Sequence, residues 1–438
     1  MAILIKQAYI LGAGLGAEPG AGLGAGSNGA VNLAADGTGD VLIVEGRLEA
    51  IAPFISDHPN DVTIIDGRGQ FLGPGLIDLY SQSGEPGNEP RETYDSLARA
   101  AAAGGFTRVG LLPNTQPAVD TVSALAAVHQ IRQAENSAKL MPWAAITLGA
   151  EGAQLNELAE LAQAGALGFT DGLPITNPAL LRRLLEYAQP LQKPIALWPC
   201  DRKLAAKGVV REGVDSLRLG LKGVSAIAET TALATLLECV AEIPALVHIM
   251  RLSTARSVDL IRRAKADGLP ISASVPWHHL IFDTQDLKSY DPNLRHDPPL
   301  GRPADRQALI AGVAEGVIDA IAIDHSPYTY EEKTVAFDAA PPGAIGLELA
   351  LPVLWQTFVA SGQWSPAQLW QCLSEGPAQC LGLTLNELKV GNAAELTLFD
   401  PRISWQVRVD ELRSLASNTP WLHQSLQGKV TQIWHKNT

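Results

Sequence analysis

Long apolar runs, basic clusters, paired cysteines and histidines are all scarce in this chain, and each scarcity removes a class of function. No uninterrupted apolar stretch approaches the roughly 18 residues that a membrane span requires, so no span is expected. Lys and Arg total 33 against 46 Asp and Glu, a net charge of −13, and no Lys/Arg cluster interrupts that deficit. Nucleic acid and membrane surfaces are therefore poor partners; small molecules or proteins fit better. The four cysteines, Cys200, Cys239, Cys372 and Cys380, contain no CxxC pair. This fits a reduced protein rather than a disulfide framework or a zinc ribbon. Residues 1–10 lack a basic region followed by a long apolar stretch and a cleavage site, so no export signal is expected and the cytoplasm is the default. Histidine, the residue best suited to metal and proton chemistry at neutral pH, occurs only nine times in 438 residues.

What is present is ample core material. Hydrophobic residues make up 46% and charged residues 18%, the balance of a globular chain. The length suits two or three domains, or an α/β barrel with an accessory domain. Residues 11–39 are of low complexity, with the hexapeptide Gly-Ala-Gly-Leu-Gly-Ala at 12–17 and again at 20–25. Gly24, Gly26 and Gly29 satisfy a GxGxxG pattern after an apolar run. A dinucleotide loop must open a helix whose N-terminus meets the pyrophosphate, and the residues after Gly29 are too few and too Gly-punctuated for one. A flexible surface insertion is the expectation for 11–39.

Short strand-like runs at 3–5, 41–44 and 62–65 flank this insertion, and the style returns at 395–399 and 430–434. A small β domain built from both termini, 1–72 with 384–438, is the economical reading. Between them, over 73–383, strand, loop and amphipathic helix repeat. The candidate strands are 76–80, 108–112, 143–148, 167–170, 195–198, 245–249, 271–275 and 320–323, separated by helical stretches such as 91–103, 226–241 and 254–266. Eight strands alternating with helices point to an α/β fold of (β/α)8 TIM-barrel type, with chemistry at the C-terminal strand ends; a doubly wound open sheet is the alternative.

Those strand ends carry ordered motifs. Pro74-Gly75-Leu76-Ile77-Asp78 leads into Tyr80-Ser81-Gln82-Ser83-Gly84, and Gly104-Gly105-Phe106-Thr107 precedes Pro113-Asn114-Thr115-Gln116-Pro117. Thr170-Asp171-Gly172 follows, then Arg251-Leu252-Ser253-Thr254, His278-His279-Leu280, Pro298-Pro299-Leu300, Asp324-His325-Ser326-Pro327 and Asn418-Thr419-Pro420. From about residue 40 to the C-terminus the sequence resembles the dihydroorotases of the amidohydrolase superfamily, the type found in multifunctional pyrimidine-pathway complexes. The resemblance implies a metal-bearing (β/α)8 barrel with a small β domain from both termini.

The resemblance also implies catalytic machinery that this chain does not carry. The family's first strand ends in His-x-His, whose period-two spacing points both imidazoles at one metal. Here those places hold Tyr80 and Gln82, while Trp198 and Arg251 stand where the family ligates with His after strands 5 and 6. Trp offers only an N–H and Arg is a permanent cation, so neither can ligate a divalent metal; Gln and neutral Tyr are weak zinc ligands. Thr170-Asp171-Gly172 is one acid short of the family's usual pair. The family holds the substrate carboxylate with an Arg, an Asn and a His, and the matching positions are Gly84, Asn114 and Tyr328, so only the Asn remains. Asp324 keeps the position of the family's general base, with no metal-bound water to deprotonate.

Each surviving group has two readings. Asp324 is a working base or half of an ion pair with Arg251, and the pair is favoured because a buried acid without its metal needs a compensating charge. His278, His279 and His325 either form a relocated metal site with Asp171 or Cys200, or serve as structural hydrogen-bonding groups, which is favoured. His248 is expected to be a packed strand residue. Asn114 is a residual substrate-binding residue or a turn residue. Cys200 has no basic activator and reads as inert. The expected protein is thus a catalytically inactive dihydroorotase homologue of pyrimidine biosynthesis, a pseudoenzyme without cofactor, Asp324 being vestigial. The resemblance further implies a structural or assembly role toward the catalytic subunit of aspartate carbamoyltransferase, and a homo-oligomeric state is expected. The alternatives are an active dihydroorotase or related cyclic-amide hydrolase with an atypical zinc site or none, and a metabolite sensor built on Asn114.

Overall fold

The computed structural model describes residues 2–12, 33–131, 137–385 and 388–435. Strands β1 (Ala2–Ile10), β2 (Thr38–Val44), β3 (Arg47–Ala52), β4 (Thr63–Asp66) and β5 (Phe71–Pro74) come from the N-terminal part of the chain. The barrel strands follow: β6 (Leu76–Ser81), β7 (Phe106–Leu111), β8 (Lys139–Pro142) and β9 (Ile195–Leu197), then, beyond a small parallel pair of β10 (Val210–Arg211) and β11 (Gly223–Val224), β12 (Val247–Ile249), β13 (Ile271–Pro276) and β14 (Ala320–Ala322). The last two strands are β15 (Leu396–Gln406) and β16 (Ser425–Trp434).

One seven-stranded sheet joins the two ends of the chain in the order β16-β15-β5-β1-β2-β3, with β4 also paired to β1. The hairpin between β2 and β3 turns at Glu45 and Gly46, with φ of 52° and 74°, the two positive values that match a turn to the twist of its strands. Strands β3 and β5 had no clear counterpart in the sequence pattern. The turn before Thr38 is described and β2 begins at that residue, so the tail of the expected insertion is sheet; the repeated hexapeptides and the GxGxxG lie outside the described residues apart from Gly12.

The barrel ladder runs in parallel from β6 through β7 to β8, and from β9 through β12 and β13 to β14. Two expected strands are corrected. The third lies at Lys139–Pro142 rather than 143–148, and the fourth, expected over 167–170, is reduced to Phe169, which bridges Ala144 on one side and Ile195 on the other. Backbone hydrogen bonds still join 167–170 to both neighbours, Leu167 N–H to Pro142 C=O at 2.9 Å, Ala144 N–H to Gly168 C=O at 3.0 Å and Phe169 N–H to Pro194 C=O at 3.0 Å, and Gly168 leaves no room for a side chain between Pro194 and Trp143. Between β14 and β6 the ring closes through the Asp78 carboxylate, which accepts from Ile323 N–H at 2.8 Å, and through Gln82 N–H donating to His325 C=O at 2.8 Å.

Period-two alternation sorts the apolar side chains. Ile77, Leu79, Ala320 and Ala322 fill the barrel interior, whereas Leu76 and Ile321 pack outward against the helices. The helices start at capping residues: Thr93 caps Tyr94–Ala103 in a reciprocal box with Ser96, and Thr254 of the Ser-Thr motif caps Ala255–Ala266. Among the described residues no helix is long and apolar enough to cross a membrane.

Candidate functional site

The C-terminal strand ends surround a cavity of about 350 Å³. Arg251 follows β12 and Asp324 follows β14, with φ of 56° and 50°, left-handed values that non-glycine residues seldom adopt. This backbone twist is tolerated where it turns two side chains toward each other. The Arg251 guanidinium donates from Nε to Asp324 Oδ2 at 2.8 Å and from Nη2 to Oδ1 at 2.7 Å, while Nη1 donates to Gly172 C=O at 3.0 Å. All three nitrogens are engaged, and the expected ion pair is formed with side chains only 5% and 14% exposed. Burial opposes the Arg251 charge, but the Asp324 carboxylate outweighs it and holds the guanidinium above its ordinary value. Gly172, with φ of 66°, presents its carbonyl to Arg251 from a turn where a Cβ would sit 3.1 Å from the Asn114 amide oxygen.

Of the other three positions that the resemblance matches to metal ligands, Trp198 and Tyr80 are given over to packing. The Trp198 ring has the Arg251 guanidinium 4.7 Å and the Arg202 guanidinium 4.4 Å from its centroid, and Arg202 is itself paired with Asp297 at 2.6 Å. Tyr80 is fully buried, accepts from Arg251 N–H at 3.2 Å and lies 3.0 Å from Ser274 Oγ. Burial raises its hydroxyl pKa, so the phenol stays neutral. Ser274 then meets His248 Nε2 at 2.9 Å, and His248 Nδ1 meets Ser272 Oγ at 2.9 Å, so hydrogen bonds run through the barrel interior from the mouth. Gln82 borders the cavity.

These residues do not fit a divalent metal. A guanidinium locked to the one retained carboxylate, an indole between cations and a buried neutral phenol supply no lone pairs suited to zinc. Among the described residues no group of three or more His, Cys, Asp or Glu is placed to hold a metal ion. The structure does not bring His278, His279 and His325 together with Asp171 or Cys200. Asp171 accepts from Thr147 N–H and Oγ1 at 3.0 and 2.7 Å, clamping its loop. His325 lies beneath the mouth, its Nδ1 accepting from Gly346 N–H at 3.2 Å and its Nε2 3.4 Å from Glu92. The Cys200 thiol is pushed up to about 11 by burial, which keeps it unreactive.

The substrate-binding positions have been rebuilt as well. A side chain at Gly84 would place its Cβ 2.2 Å from Asn88 C=O, so the loop has closed over the space where the family carries an Arg. Tyr328 is covered by Arg91 at 4.9 Å from its centroid. Asn114 remains at the cavity wall, beside Gln116.

His296 enters the site without any signal in the sequence pattern. Its ring lies tilted at 38° against His278 with centroids 4.4 Å apart, and 5.9 Å from His279. It precedes the Pro298-Pro299-Leu300 motif, the one pointer that could have raised it. Both His278 Nε2 and His296 Nε2 lack a hydrogen-bond partner, as does His279 Nδ1, while His279 Nε2 bonds to Pro298 C=O at 3.1 Å. Burial lowers all three pKa values, His279 to about 4, so these imidazoles are neutral at pH 7.

Comparisons with known proteins agree with one another. A family profile described as dihydro-orotase-like matches residues 69–254, and one described as the amidohydrolase family matches 205–436. A probable dihydroorotase-like protein of Synechocystis sp. is 45% identical over 388 residues, covering 82% of this chain and 87% of the relative. A dihydroorotase of Pelotomaculum thermopropionicum is 38% identical over 390 residues, covering 89% of this chain and 91% of its own. Among solved structures, the L-hydantoinase (dihydropyrimidinase) of Arthrobacter aurescens superposes with a TM-score of 0.80 at 20% identity, covering 100% of this chain and 97% of its own, a likeness of fold.

Proposed function

The chain belongs to the dihydroorotase-like branch of the amidohydrolase family, and from that premise we propose that it is a pseudoenzyme of pyrimidine biosynthesis. In this reading it hydrolyses no cyclic amide, carries no metal, and serves as a structural or assembly subunit for aspartate carbamoyltransferase, itself in a homo-oligomeric state. The observation that carries the reading is the Arg251–Asp324 pair. An arginine stands where the family ligates, and it grips the carboxylate that would act as base through two hydrogen bonds of 2.8 and 2.7 Å. Both oxygens of that carboxylate accept from the guanidinium, which makes it the charge partner of Arg251 rather than a group kept free for a substrate proton.

Metal analysis of the purified full chain, alongside a dihydroorotate hydrolysis assay, tests inactivity. Substoichiometric metal and no turnover are expected; stoichiometric zinc with turnover abolished by Asp324→Asn would reverse the reading. The assembly role is tested by co-purification with the aspartate carbamoyltransferase catalytic chain from the same cell, where no association at cellular concentration removes it. The alternative, a cyclic amidohydrolase with an atypical site, is favoured by retention of Asp324 and by relatives named dihydroorotase.

A further inference from the structure

The N-terminal end of the barrel, opposite the mouth, carries a second cavity of about 600 Å³. It shares no lining residue with the mouth cavity. On β8, Leu140 packs outward against the helices and Met141 fills the barrel interior, so period-two alternation turns Lys139 inward as well. Lys139 and Lys193, which shortly precedes β9, both line the cavity, and neither has an ion-pair partner among the described residues. Arg108, opposite Lys139 in the ladder, is by contrast neutralised by Glu395. Among the described residues that line the cavity there is no Asp or Glu, in a chain whose net charge is −13. Much of the remaining wall is apolar, with Met141, Leu167, Pro194, Leu246 and Pro270, and Leu246 stays 45% exposed.

We propose that this cavity binds a small organic acid, an apolar ring or chain whose carboxylate is met by Lys139 and Lys193. Two cations without counter-ions supply the attraction for the head, and ammonium groups on flexible stems adapt to it without a fixed geometry. The apolar body of the ligand covers Leu246 and its neighbours and takes that surface out of water. The volume, about 600 Å³, falls in the middle of the range of small-molecule sites. A competing account needs no ligand: the helices Val122–His129 and Ala255–Ala266 end on this side of the barrel, and lysines there answer the partial negative charge of helix C-termini. The two accounts differ in whether an acid binds better than its neutral counterpart.

2-Naphthoate and 2-naphthamide share one ring system and differ in charge, so isothermal calorimetry with both on the full-length protein separates the accounts. The acid is expected to bind about tenfold or more tightly than the amide, with an affinity that falls as salt is raised. Combining Lys139→Met with Lys193→Met is expected to weaken the acid about tenfold and to leave the amide unchanged. Lys139 is exposed and Lys193 half-buried, so the double variant is expected to fold, and its melting temperature verifies this. Leu246→Gln, at an exposed position, is expected to weaken acid and amide alike. Arg202→Met, a change at the mouth, is expected to leave the acid's affinity as it is. Equal affinity for acid and amide, no binding of the acid, full acid affinity in the double lysine variant, or loss of acid binding in Arg202→Met would overturn the inference.

Discussion

Arg251→Met isolates the interaction on which the functional reading depends. The substitution keeps much of the side-chain volume, and since both residues carry a Cβ, the strain of φ at 56° is shared by variant and parent. What changes is charge. Asp324, only 14% exposed in its side chain, loses both of its guanidinium bonds, and Gly172 C=O loses its donor at 3.0 Å. Removing one partner of such a buried pair costs about 3–5 kcal/mol, and the orphaned carbonyl adds about 1 kcal/mol. Pairing Arg251→Met with Asp324→Leu removes both charges; such replacements are neutral or stabilising by about 1–4 kcal/mol, so the double variant should recover most of the loss. Urea denaturation followed by circular dichroism measures all three proteins against the parent. A single variant within about 1 kcal/mol of the parent, or a double variant no better than the single, would refute the claim that the arginine compensates the buried Asp324 carboxylate.

Three further outcomes follow from the same geometry. Tyr80→Phe removes the hydroxyl shared by Arg251 N–H and Ser274, and is expected to destabilise by about 1–3 kcal/mol in thermal unfolding; no change would mean that the interior hydrogen-bond chain is slack. Gly84→Ala places a Cβ against Asn88 C=O at 2.2 Å, and is expected to lower stability by about 1–3 kcal/mol through overpacking, measurable by urea titration. Asp78 gives a pH signature: burial pushes its carboxyl up to about 7 from 3.8. The unfolded chain therefore ionises this group first, so its contribution is complete below 3.8 and is lost as pH rises toward about 7. Asp78→Asn is accordingly expected to fare better relative to the parent at pH 8 than at pH 5, and a pH-independent difference in melting temperature would contradict the assignment.

How much was legible without coordinates varies by element. Strands that read as short runs of apolar and small residues, such as 76–80 and 271–275, lie within a residue or two of their expected places, because the barrel buries both faces and the run records it. The third strand lies at Lys139–Pro142 rather than 143–148, whereas the fourth keeps its expected place and is only shortened. Its pairing is with Ala144 and Ile195, each about 25 residues away in the chain, and such partners leave no local pattern. The hairpin strand Arg47–Ala52 gives no clear signal because exposed, charged Arg47 and Glu49 interrupt its apolar residues.

The candidate site divides along the same line. The sequence by itself determined the side-chain chemistry at the family's ligand positions: Trp198 and Arg251 offer a divalent metal no lone pair, and Tyr80 and Gln82 are weak zinc ligands. Tertiary structure alone decided what takes the metal's place, because each partnership joins residues distant in the chain. Arg251 reaches Asp324 across 73 positions, Tyr80 reaches Ser274 across 194, and His296 arrives beside His278 on a loop with no periodic signal. Which polar atoms find partners depends on a few tenths of an ångström in that packing, a scale on which composition and spacing are silent.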